Sequence, residues 1–145
     1  MRRTHLAVLA MLVFALAPAG AGGASSTATY KGKAKSLVGD FEYGKVTVKR
    51  KGARVTRVKI EAVTATCPFG TTNRTIVFNP RDSAIQIMSG SNRIRGGRMT
   101  VTYRPDKTVE DQKTTLRVKF RGRRATGTFS ETDICVDEGK FSARR

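Results

Sequence analysis

The feature that most constrains this chain is a period of two. From about residue 43 onward, β-branched and aromatic residues alternate with charged or hydroxyl residues in runs of five to twelve. Alternation of this kind puts one set of side chains on each face of an extended strand, and it is incompatible with an amphipathic helix, whose period is 3.6. Tyr43 to Lys49 carries Val46 and Val48 on one face and Lys45, Thr47 and Lys49 on the other. Val58, Ile60 and Ala62 share a face of the next run, opposite Arg57, Lys59 and Glu61. Val55 is out of phase with Val58, which predicts a bulge near Thr56. Further strands are expected over Arg74 to Phe78, around Ile85 and Ile87, and over Met99 to Tyr103, with Tyr103 buried. Two more follow at Leu116 to Phe120 and Ala125 to Phe129. In the latter, Ala125, Gly127 and Phe129 face inward.

Turn signals separate these runs: Arg50-Lys51-Gly52-Ala53, Cys67-Pro68-Phe69-Gly70, Asn79-Pro80-Arg81-Asp82, Pro105-Asp106 and Gly122-Arg123. A loop over Ser89 to Gly97 should send Ile94 into the core. The tail reads as a last hairpin from Ile134 through Glu138-Gly139 to Phe141 and Ala143. The expected fold is all-β: an antiparallel meander of eight or nine strands forming a small barrel, with a β-sandwich as the alternative. The small inward pair Ala125 and Gly127 suits a tapered barrel interior.

The N-terminus is of a different kind. Arg2 and Arg3 precede an uncharged apolar run from Leu6 to Ala17. That run suits a secretory signal peptide and is short for a membrane span of ~20 residues. Small-x-small patterns follow, so cleavage is expected after Ala21, with Ala19 and Ala24 as alternatives. The organisation is then 1–21 signal peptide, 22–29 flexible leader and 30–145 a single β-domain. No later segment is apolar enough to span a membrane, so the mature chain is expected outside the cell, as a monomer.

Export frames the rest. Cys67 and Cys135 are the two cysteines. In an oxidising compartment they are expected to pair, closing a loop of ~69 residues worth roughly 4 kcal/mol on the chain-entropy model. Two free thiols are the alternative, and two cysteines without histidine make an incomplete zinc site. The chain carries 28 Lys and Arg against 11 Asp and Glu, a formal charge of +17. Only Arg2 and Arg3 leave with the signal, so the mature charge stays near +15, a balance that favours polyanionic partners such as nucleic acid, anionic wall polymers or acidic headgroups.

Cleavage also removes His5, the one histidine. This disfavours Ser-His-Asp and Cys-His catalysis and the common histidine metal sites. Three carboxylate groups remain to consider: Asp40 with Glu42, Glu110 with Asp111, and Glu131, Asp133, Asp137 and Glu138 around Cys135. The last could ligate Ca²⁺ or form a polar catalytic pair, but its spacing matches no calcium loop, and it reads as a solvated hairpin paired with arginines. No catalytic, cofactor-binding or metal-binding residue is therefore assigned, and no cofactor is expected. Basic residues cluster at turns: Arg50, Lys51 and Arg54; Arg93, Arg95 and Arg98; Arg121, Arg123 and Arg124. Alternate turns of a meander share an end, so some of these clusters can merge into one phosphate-binding patch.

Four segments carry a family likeness: Ile94-Arg-Gly-Gly-Arg-Met99, Leu116-Arg-Val-Lys-Phe-Arg-Gly122, Ala125-Thr-Gly-Thr-Phe129, and Cys135 with Gly139-Lys-Phe-Ser-Ala143. Together they resemble a loose group of small secreted actinobacterial β-proteins with a signal peptide and two cysteines. This chain departs from the group in having Met99 where an aromatic is usual and Phe141 near the usual Trp. The resemblance implies a fold and a disulfide, and it implies no activity. The functional expectation is a non-enzymatic extracellular β-domain that contacts anionic envelope polymers or surfaces. The alternative is a small-ligand carrier using the barrel interior.

Overall fold

A computed structural model describes residues 26–37, 44–133 and 135–145, with 62 and 64 as backbone only. Asp40, Glu42, Tyr43, Ile134, the side chain of Ala62 and the whole of the expected signal segment lie outside the described residues. Nine strands follow one another: β1 Thr27–Ser36, β2 Gly44–Lys51, β3 Arg54–Cys67, β4 Gly70–Phe78, β5 Gln86–Gly90, β6 Arg98–Arg104, β7 Lys113–Arg121, β8 Arg124–Thr132 and β9 Val136–Arg144. All neighbours pair antiparallel, in the order β4-β3-β2-β1-β9-β8-β7-β6-β5. The fold is a closed six-stranded antiparallel β-barrel with additional strands bonded outside it.

Two closures complete the barrel. At one end Thr66 of β3 pairs with Val136 of β9. The Cys67–Cys135 disulfide adjoins that bridge and locks the seam covalently. At the other end the 92–94 segment bonds to the start of β3: Val55 N donates to Asn92 O (2.8 Å) and Ile94 N to Ala53 O (2.7 Å).

The alternation in the sequence becomes the core. Val46, Val48, Val58, Ile60, Met99, Val101, Tyr103, Leu116, Val118, Ala125 and Phe129 are all buried. Ile94 packs against them from its loop. The bulge falls where the phase slip predicts it: Lys49 faces Arg57 and Arg50 faces Val55, which leaves Thr56 as the extra residue. Its hydroxyl donates back to Lys49 O (3.3 Å). A second register shift between Ile60 and Val63 then changes the phase of β3 and turns Val63 and Ala65 inward.

Four sequence expectations need correction. β1 was not legible as a strand, and it begins at Thr27, inside the predicted leader. Its inward residues are Ala28, Tyr30, Gly32, Ala34 and Ser36, most too small to signal a buried face. Gly32 lies so close to β9 that a Cβ there would strike Ser142 O. Second, the tail is one continuous strand rather than a hairpin. Glu138-Gly139 is not a turn, because Gly139 makes room for the Phe129 ring and the backbone of β1. Third, the strand expected around Ile85 and Ile87 runs from Gln86 to Gly90, into the predicted loop, with Ile85 just outside it; Ile85 packs on the core and Ile87 is exposed. Fourth, Glu131 and Asp137 are buried, not solvated.

The interior is filled with side chains. Tyr30, Tyr103, Phe78 and Phe129 are its largest fully buried members. Tyr103 donates its hydroxyl to Val77 O (3.0 Å), and Phe78 lies against its ring. Burial pushes the Tyr103 phenol well above its ordinary value.

Candidate polyanion-binding surface

Strand direction decides which turns meet. β2 ends, β3 begins, β6 begins, β7 ends, β8 begins and β9 ends at one end of the barrel. The three predicted basic clusters occupy those termini, and the structure brings all three to that end. The first two are joined by the backbone bridge Arg54↔Arg93. Arg95-Gly96-Gly97-Arg98 is a tight turn closed by two reciprocal bonds, Arg95 N to Arg98 O (2.8 Å) and Arg98 N to Arg95 O (3.0 Å). Gly96 and Gly97 take φ values of 55° and 72°, which non-glycine residues rarely adopt. Gly97 O then accepts from Phe120 N (2.7 Å), which ties this turn to the β7–β8 turn carrying Arg121, Arg123 and Arg124.

Arg50 plays a different part from its neighbours. It is half-buried, and its guanidinium lies 5.8 Å from the Tyr30 ring centroid and 5.3 Å from that of Phe120. It therefore closes the aromatic end of the core, and the cations around it face solvent. Lys51, Arg54, Arg93, Arg95, Arg98, Arg121, Arg123 and Arg124 are exposed. Two residues missed in the sequence join them: Arg144 pairs with Arg124, and Arg145 N donates to Arg123 O (2.9 Å). Their signal was the terminal Arg-Arg pair, whose placement depends on where β9 ends. Within this end, Ala53, Arg54, Arg93, Ile94 and Arg95 line a cavity of about 300 Å³.

The described carboxylates lie elsewhere. Glu61 is held by Lys59 on the side of β3, and Lys59 keeps its carboxyl below the usual value. Asp106, Glu110 and Asp111 sit on the β6–β7 connection at the far end, where Thr108 donates to Asp106 twice and lowers its pKa. Asp82 lies on the loop whose Ala84 meets Lys107. The remaining four surround the disulfide.

That acidic group is partly interior. Glu131 and Asp137 face each other across β8 and β9 and point inward, with exposures of 5% and 0%. The alternation already implied this, since Glu131 is in phase with Phe129, and Asp137 with Phe141. Arg74 from β4 reaches Glu131 (3.8 Å) and Asp133 (3.3 Å). Gln112 Nε2 donates to Glu131 Oε1 (2.9 Å). Ser36 donates to Asp137 Oδ1 (3.5 Å), while Asp137 Oδ2 is buried without a hydrogen-bond partner. Burial, reinforced by the charge of Glu131, pushes Asp137 up to about 6 against the pull of Ser36 and Arg74. Neither carboxyl lines the cavity at the basic end. Among the described residues, no group of three or more His, Cys, Asp or Glu is placed to hold a metal ion. No described helix is long and apolar enough to cross a membrane.

No protein-family model matches the sequence, and comparison with curated proteins and with solved structures gives no match.

Proposed function

We propose that this protein is a secreted, non-enzymatic β-domain that holds anionic polymers or surfaces through the basic end of its barrel. One observation carries the reading: three basic turns, distant in sequence, share one end of the barrel, two of them around a cavity lined by Arg54, Arg93 and Arg95, and the described carboxylates lie elsewhere. Arginine suits such a role because its planar fork binds phosphate or carboxylate through two parallel hydrogen bonds. The packed interior favours the surface over the barrel lumen as the binding element. Export is part of the proposal. Its support is the Cys67–Cys135 bridge, a bond that persists in oxidising compartments. The resemblance to small secreted actinobacterial β-proteins fits the same reading.

The test is retention of the mature chain on heparin and on a phosphate resin. Strong retention that weakens steeply with salt is expected. Combined Arg54→Ser, Arg93→Ser and Arg95→Ser substitution should bring elution to markedly lower salt. A wild-type chain that elutes at low ionic strength refutes the proposal.

A further inference from the structure

The outward face of five strands carries a second basic surface that shares only Arg98 with the turn clusters. Cross-strand register sets its layout. Lys33 faces Ser142 and Lys35 faces Lys140 between β1 and β9. Ser142 faces Thr126 and Lys140 faces Thr128 between β9 and β8. Thr126 then faces Lys119 and Thr128 faces Arg117 on β7, and these meet Arg98 and Thr100 on β6. The result is a trough of about 900 Å³ along β8. One wall is Lys33, Lys35 and Lys140; the other is Arg98, Arg117 and Lys119. The floor between them is Thr126, Gly127, Thr128 and Ser142.

Three properties limit what fits there. Among the described residues no carboxylate lines the trough, so the charges they bring to it have one sign. The inner cations, Lys140 on β9 and Arg117 and Lys119 on β7, stand two strand spacings apart, roughly 10 Å, which admits one chain between them and is too narrow for a duplex; Lys33, Lys35 and Arg98 lie one strand farther out on either side. Among the described residues its one aromatic, Phe141, is buried, so they offer no ring for base stacking. The hydroxyls of Thr126, Thr128 and Ser142 instead present donors to sugar or phosphate oxygens. Toward the basic end the trough opens onto Arg144, Arg124 and Arg121, which face one another across β9, β8 and β7. Toward the other end the next outward pair is Ser130 and Glu138, where the charge reverses.

We infer that the trough is the track for a single linear phosphate-bearing chain without stacked bases, which runs along β8 and ends among the arginines of the basic end. This rests on the proposed polyanion binding and adds its direction, its single-chain limit and its chemical class. A short polyanion needs only the basic end; a long one engages both surfaces.

Calorimetry with tripolyphosphate and with long-chain polyphosphate separates the two. In the mature, disulfide-bonded chain, combined Lys35→Ser, Arg117→Ser and Lys140→Ser substitution should leave tripolyphosphate binding unchanged. For the long chain, loss of three contacts should reduce the slope of log affinity against log salt by about 2. The affinity lost between 50 and 200 mM salt should then shrink about 20-fold. Should the triple variant not fold, each single substitution should lower the slope by about 0.7. Lys35→Arg and Lys140→Arg should retain it. An unchanged long-chain slope overturns the trough while leaving the basic end standing. Failure of the wild-type chain to bind either probe at low salt refutes the underlying reading. Tighter binding of an oligothymidine strand than of polyphosphate of equal length also overturns the inference, in favour of a nucleic acid.

Discussion

Replacing Asp137 with Asn should make this protein more stable at neutral pH. The carboxyl lies at 0% exposure beside Glu131, with Oδ2 lacking a partner, and its pKa rises from 3.8 to about 6. A raised folded value means that the folded chain holds this proton more tightly than the unfolded chain does. Below pH ~4 both states are protonated and nothing is lost. Between ~4 and ~6 the unfolded state gains stability as it ionises, so folding weakens as pH rises. Above ~6 the full penalty applies, which at 1.36 kcal/mol per pKa unit comes to about 3 kcal/mol. Asn is nearly isosteric, keeps an acceptor for Ser36 and carries no charge. The variant should therefore gain on the order of 2–3 kcal/mol at pH 7 and little or nothing at pH 4. Urea denaturation of both proteins at several pH values from 4 to 7 measures this directly. Carboxylates remote from Asp137 contribute alike to both chains and cancel in the difference, whereas Glu131, which faces it, is coupled to the substitution. Parallel stability–pH curves, or a variant less stable at pH 7, would refute the reasoning.

Other outcomes follow from the packing. Gly139→Ala would place a methyl group against the Phe129 ring and Lys35 O, a backbone atom that cannot step aside; a loss of about 2 kcal/mol or more is expected, read from the urea midpoint. Cys67→Ser with Cys135→Ser should cost up to about 4 kcal/mol, since the bridge spans a sequence separation of 68 at the barrel seam; an unchanged midpoint would show that the Thr66–Val136 pairing holds the seam alone. Tyr103→Phe removes the donor to Val77 O and should cost on the order of 1 kcal/mol by the same measurement.

The sequence disclosed the inward face wherever that face is made of Val, Ile, Leu or aromatic residues. It concealed β1, whose inward positions are mostly Ala, Gly and Ser, because small residues carry no hydrophobic period. It misdirected at Glu138-Gly139, where a dipeptide typical of turns lies inside a strand and the glycine serves a close ring contact instead. Glu131 and Asp137 were misread for a related reason: acids crowded around a cysteine suggest solvent, although strand phase placed both inside. The arginine clusters were legible at their turns. That some of them can meet follows from the meander; which of them do was not legible, because it depends on the 92–94 segment docking on β3 and on β9 pairing with both β1 and β8. The trough was hidden for the same reason. Each strand contributes an ordinary outward Lys or Arg, and only the register lines them up into two walls.

The central claim is that these cations act together on one anionic chain, and the salt dependence of polyphosphate affinity tests it most directly. Engagement of about six cations predicts a linear plot of log affinity against log salt with a slope of about −4 or steeper. A slope between 0 and about −1 would mean that at most one or two cations contact the polymer, and the account of a shared binding surface would be wrong.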